Sequence, residues 1–233
     1  MKHYTSIIIN VNDKLKSIRR EQSKAYTLGE KILKIMCFFI VGLILGFAIK
    51  LADNTPALRL FAQISDYLGL WCLLTMFIIV NSRSPGAACV HSFVFLSSML
   101  ISYYLYSMIC FKSSFDIFNF LLWWIMVFVS LPFAYLLWYA QGNSILSDVL
   151  AAFPIGLSIA EGIVFLYPFN IPIGFSLLWA FILLIIIPID WIHRLRVIFF
   201  AFVISTLIRK LRLVSSFTGI SYYIMKGFGN LFR

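Results

Sequence analysis

From Ile35 onward, long uncharged apolar runs alternate with short polar breaks. The first run, Ile35–Leu51, lies between Lys34 and Lys50, whose aliphatic stems can reach the headgroup layers on either side. The connector ADNTPALRLFAQISDY follows, with room for an interfacial helix, and then a second run at 67–80. The stretch NSRSPG at 81–86 predicts a tight turn, because Pro85 and Gly86 interrupt the helical pattern. Further runs at 87–111, 117–140, 145–167 and 173–190 are separated by FKSSFD, QGNS and PFNIP. About 20 apolar residues are needed to cross a hydrocarbon core roughly 30 Å thick, and uncharged runs of this kind are the mark of spanning helices. The expected fold is an all-α, polytopic transmembrane bundle of six spans, occupying residues 35–190.

The two ends differ from this middle. Residues 1–34 form a basic arm in which Ile8, Val11, Leu15 and Ile18 recur at helical spacing, with Lys14, Lys16, Arg19 and Arg20 on other faces. A surface-lying amphipathic helix and a disordered arm both fit that pattern. In the C-terminal segment 191–233, the apolar stretch VIFFAFVISTLI lies between Arg196 and Arg209. Twelve residues rise only about 18 Å as a helix, so 195–208 is expected to be interfacial or re-entrant, with a seventh span left open. Charge placement bears on the choice. With the N-terminus inside, six spans place 16 of the 19 Lys and Arg residues on the cytoplasmic side, whereas a seventh divides them 11 to 8. The positive-inside rule favours the former.

Composition sharpens this picture. Hydrophobic residues make up 62% of the chain and charged residues 12%, against about 45–50% and about 25% in soluble domains. The net charge of +10 gathers beside the spans, where it suits anionic lipid headgroups; with no nucleic-acid module in sight, the lipid bilayer is the expected partner. Cys37, Cys72, Cys89 and Cys110 fall in or at the ends of apolar runs without CxxC spacing and read as packing residues. The basic stretch ahead of the first span is too long for a cleavable signal peptide.

Candidate chemistry centres on Glu161, the one carboxylate in IGLSIAEGIVFLYPFN. Ser147, Ala151, Pro154, Ser158 and Glu161 share one face of the fifth helix. A charge facing lipid costs at least about 2.5–3.5 kcal/mol, so this small polar face should point into the bundle, with Pro154 bending the helix. In the six-span arrangement Glu161 lies about 9 Å below the outer surface. Tyr103, Tyr104, Trp123, Trp124 and Trp179 come to similar depth, Asn119 and Ser176 slightly higher, and Lys50 caps the first span on that side. Apolar walls with a few orienting polar groups make a small-molecule pocket. The competing readings are an outer aromatic belt, and a protonated Glu161 bonded to a carbonyl or a tyrosine hydroxyl for packing alone.

Other polar residues carry less. His91 has no second ligand at i+3 or i+4 and reads as a hydrogen-bonded packing residue. Asp148 and Asp190 are expected at helix ends within reach of water and basic neighbours, Asp190 pairing with Arg194. HExxH, GxSxG, P-loop and Mg²⁺-holding acidic patterns are missing from the sequence, so no catalytic residue, metal or cofactor is assigned.

The run DYLGLWCLLTMFIIVNSRSPGAACVHSFVFLSSMLISYYLY at 66–106 joins a Gly-x-Trp, a Ser/Pro turn, an Ala pair and a Tyr-Tyr-x-Tyr exit. It resembles an uncharacterised family of small multi-span bacterial membrane proteins carrying a domain of unknown function. That resemblance implies a bacterial cytoplasmic membrane and no particular activity. Two functional classes remain: a small-solute binding or transport component with an outward-facing pocket, or an accessory protein that binds partner membrane proteins or lipids. An intramembrane enzyme ranks third.

Overall fold

The computed structural model describes residues 19, 27–111, 117–163, 171–188 and 190–211. Within them the chain forms eight α-helices: α1 (Leu28–Asp53), α2 (Arg59–Ser65), α3 (Leu68–Val80), α4 (Pro85–Phe111), α5 (Ile117–Leu137), α6 (Ile145–Gly162), α7 (Ile171–Ile186) and α8 (Trp191–Lys210). The all-α bundle expected from the sequence is the fold. Most of the N-terminal arm, the FKSSFD loop, the PFNIP turn and residues 212–233 lie outside the described residues. Local chemistry sets several boundaries. Thr27 and Glu30 form a reciprocal capping box that starts α1 seven residues ahead of the apolar run, and Ser144 with Ser147 does the same for α6.

Five helices, α1, α4, α5, α6 and α8, are long and apolar enough to cross a membrane, and the bent pair α2–α3, with 69° between its halves, makes a sixth candidate. Their outer faces carry Ile40, Ile44, Phe47, Phe77, Phe128, Phe199 and Phe202, all exposed. So much exposed apolar surface has a natural solvent in lipid and none in water. This is a multi-pass membrane protein.

Backbone approach decides which helices touch. A Cβ on Gly42 would collide with Ser98 Oγ and lie 2.5 Å from the Phe95 carbonyl oxygen, and one on Gly46 would run into the Met99 carbonyl. The Gly-x-x-x-Gly spacing therefore seats α1 directly on α4, with Ser102 donating to the Leu43 carbonyl across the seam at 2.7 Å. On the other side α6 packs on α8. Asp148 meets His193 and Arg196, while Gly156 meets Ala201 and Ile204. The contacts advance together along both chains, so α6 and α8 run parallel. The twelve-residue apolar stretch thus belongs to a 20-residue helix, because Trp191–Arg196 extends it at the amino end.

The tightest packing lies at one end of the bundle. Met76 and Ile79 from α3, Ala134 from α5, Ala151 and Ile155 from α6, Leu183 from α7, and Val197 and Ala201 from α8 form a closed core. Trp138, buried there, donates its indole N–H to the Ser82 carbonyl at 2.7 Å. His91 shares a 3.0 Å hydrogen bond with Ser82 Oγ, the packing role expected for it. Arg19 reaches in from the N-terminal arm, donating to the Trp138 and Val80 carbonyls at 2.6 and 3.2 Å with its guanidinium 4.2 Å from the Trp138 ring centre. Two chain segments that are ending thereby find a cation for their free carbonyls. Burial pushes the Arg19 pKa down to about 10, which still leaves it charged at neutral pH.

Candidate functional site

The opposite half of the bundle holds a three-helix junction and a hollow. At the junction Glu161, near the end of α6, is only 7% exposed and points inward. Its Oε1 accepts from the Leu68 N–H at 2.9 Å, and its Oε2 accepts from the Gly69 N–H at 2.9 Å and the Ser176 hydroxyl at 2.8 Å. Leu68 and Gly69 are the first two residues of α3, whose opening N–H groups have no partner within their own helix. Tyr67, preceding them, supplies no side-chain cap. A carboxylate borrowed from α6 satisfies those donors and complements the positive end of α3. Packing alone was one of the two readings of Glu161, yet the bonding is the reverse of the form considered: the acid accepts from N–H groups and does not donate to a carbonyl.

The Gly-x-Trp motif acquires a physical reason here. A Cβ on Gly69 would sit 3.0 Å from Ser176 Oγ and 3.1 Å from its Cβ, so the glycine lets α3 come close to α7. Trp71 donates its indole N–H to the Ser65 carbonyl at 2.8 Å and closes the bend between α2 and α3. On α6, Gly162 comes closer still to α7, where a Cβ would lie 2.7 Å from Leu177 Cγ.

Beside this junction lies a cavity of about 590 Å³ bounded by α1, α3, α4 and α5, with Phe153 and Pro154 of α6 at its flank. Its walls are aromatic and sulfur-rich: Trp71, Trp123, Tyr104, Met76, Met99 and Met126. Asp53, Ser65, Asp66 and Asn119 gather at one end, with Thr75 and Ser130 further along the walls. Tyr103 donates to Asp53 Oδ2 at 2.7 Å, and the Lys50 ammonium stands 3.8 Å from that oxygen and 4.9 Å from the Tyr103 ring centre.

The residues singled out from the sequence divide between these two features. Tyr103, Tyr104, Trp123 and Asn119 line the cavity, and Lys50 flanks it through Asp53 and Tyr103. Glu161, Ser158 and Trp179 are not among its lining residues. Ser158 is fully buried and returns its hydroxyl to the Pro154 carbonyl one turn back at 2.9 Å, so its polar group is satisfied within its own helix. Trp179 packs against Phe175 on α7. Asp53 and Asp66 were missed. They lie near the two ends of the connector with room for an interfacial helix, and the turn through α2 brings them to one rim.

A second polar cluster sits at the far end. Asp148, 0% exposed, lies 2.9 Å from His193 Nε2 and 2.8 Å from Arg196 Nε. The basic neighbours expected for Asp148 are there, but the expected access to water is not, because Asp148 is fully buried against α8. No Asp190–Arg194 side-chain ion pair forms among the described residues; the two are joined by a backbone bond, the Arg194 N–H to the Asp190 carbonyl at 3.0 Å. Nor do three His, Cys, Asp or Glu side chains gather among the described residues where they could hold a metal.

Residues 27–217 match the model of a family of unknown function, DUF6518. The chain belongs to that family. The match runs from the capping box of α1 past the end of α8, so the DUF6518 region takes in the whole described bundle. No curated protein and no solved structure matches the chain significantly.

Proposed function

We propose that this protein is a small-solute binding or transport component of the bacterial cytoplasmic membrane, its N-terminus cytoplasmic and its hollow half facing outward. The observation that carries this reading is the cavity of about 590 Å³, aromatic-walled with polar groups at one end. Its volume and lining match those of small-molecule sites, which run about 300–1,000 Å³. Intramembrane space of this size is costly unless something fills it. The outward direction rests on charge: the basic arm before α1 belongs inside, and α1 then carries Asp53 to the outer face. Because α8 runs parallel to α6, we take the shorter apolar helix α7 between them as a return crossing and α8 as the seventh, with the carboxyl end of α8 outside.

Thermal unfolding of the purified full chain in detergent tests the reading. A bound solute stabilises the native state by about 2.7 kcal/mol at a hundred times its Kd. Saturable stabilisation by one class of solute, lost when Thr75→Trp fills the cavity, is the expected result. Stabilisation by a co-purified membrane protein, and by no solute, would instead return the accessory-protein reading.

A further inference from the structure

The cavity wall also bears on the chemistry of its occupant, an inference that rests on the solute-binding reading. Two carboxylates, Asp53 and Asp66, lie at one end of the cavity wall. One cation, Lys50, stands against Asp53. Asp66 has no ion-pair partner among the described residues, and Arg59, the nearest cation to it along the chain, is exposed and is not part of the wall. The end of the cavity thus carries a net charge of −1 from these three groups. Lys50 also displays the local preference, its ammonium resting between a carboxylate and the face of Tyr103.

The body of the cavity has a different character. Trp123, Val129 and Phe133 are each 43% exposed and Phe153 is 38% exposed, yet all four line it. Its wall therefore reaches the surface of the bundle between α5 and α6, where the stacked rings of Phe133 and Phe153, centroids 5.7 Å apart, stand at the edge. A site open sideways to lipid, apolar along its length and anionic at one end suits a molecule that dissolves in the bilayer and carries one positive charge. We infer that the cavity takes a cationic amphiphile, an aromatic or aliphatic body bearing an amine or quaternary ammonium, with the cation held by Asp66 and Asp53 and the body among Trp71, Trp123 and the methionines.

Tetraphenylphosphonium and tetraphenylborate test this directly, because they share shape and differ in the sign of their charge, each affinity being referred to that probe's partition into protein-free nanodiscs. Triphenylphosphine oxide serves as the neutral probe. Binding to the full chain in nanodiscs is read from tryptophan quenching, with the quenching of Thr75→Trp at equal probe subtracted as partition into lipid. A thermal melt of each variant without probe verifies that it is folded. The expected result is a saturable phosphonium signal roughly tenfold tighter than that of either other probe, about what one carboxylate and one aromatic face supply together. Asp66→Asn, an exposed position, should fold normally and remove most of that margin. If all three probes saturate with equal affinity, or the borate binds best, the cationic class is wrong while the binding site stands. If none binds above the Thr75→Trp background, the binding site falls with it.

Discussion

Replacing Glu161 by glutamine changes one atom and should still cost the fold several kcal/mol. The carboxylate accepts three hydrogen bonds, two from the opening N–H groups of α3 and one from Ser176. Glutamine keeps one acceptor oxygen. Its amide nitrogen must face either the Leu68 N–H, or the Gly69 N–H together with the Ser176 hydroxyl, and donors then meet donors. The cheaper orientation keeps the Gly69 and Ser176 bonds and loses the one to Leu68. A lost charge-assisted hydrogen bond is worth about 1.5–3 kcal/mol, and the lost charge at a helix amino end adds about 0.3–1 kcal/mol. The sum is about 2–4 kcal/mol, or roughly 5–15 °C in Tm for a chain of this size. Unfolding of Glu161→Gln and Ser176→Ala in mixed micelles checks the number. Ser176→Ala, which removes one donor and leaves both helix N–H groups bonded, should cost about 1 kcal/mol. If Glu161→Gln and Glu161→Leu both unfold within about 0.5 kcal/mol of wild type, the carboxylate is not holding α3, and the junction is held by something else.

Other substitutions probe separate joints. Gly46→Ala should destabilise the bundle by about 1–3 kcal/mol, since its Cβ meets the Met99 backbone and not a movable side chain; the same unfolding assay applies, and Gly29→Ala, with open space around it, is the control. Asp148→Ala should cost about 3 kcal/mol, tempered because Arg196 is 45% exposed and can turn to water, while His193 is left buried without its partner. Arg19→Ala frees the Trp138 and Val80 carbonyls and should raise proteolysis within the N-terminal arm, read by limited trypsin digestion in nanodiscs, with little change in Tm. Arg19→Lys should restore protection only in part, because an ammonium cannot reach both carbonyls and lie flat on the indole.

The bundle was legible because lipid imposes a single rule, that long uncharged runs become helices. Tyr103, Tyr104 and Trp123 could be placed at similar depth, and Asn119 slightly higher, from helix direction alone, and all four line the cavity. Glu161 was legible as an inward-facing acid, since exposure to lipid is too costly. Its partner was not. Nothing local marks the N–H groups of Leu68 and Gly69 as needing a cap; the need arises because Tyr67 provides none and because α3 begins inside the bundle. Asp53 and Asp66 escaped notice for a similar reason. Thirteen positions apart, they come to the same cavity through the 69° bend between α2 and α3, which hydropathy does not encode. For α8, the uncharged stretch between Arg196 and Arg209 is too short to span by itself, whereas Arg196 is held against buried Asp148 and the helix continues through it.

The deciding question is whether the hollow half is an accessible chamber. In a background where Cys37, Cys72, Cys89 and Cys110 are replaced by alanine, a single Thr75→Cys substitution places a thiol in the cavity wall, and Ala152→Cys places one in the closed core. A membrane-impermeant maleimide applied to intact cells should modify the cavity thiol in the folded protein, more slowly in the presence of tetraphenylphosphonium, and should leave the core thiol untouched until the protein is denatured. A cavity thiol that reacts only after denaturation would contradict an open, outward-facing chamber.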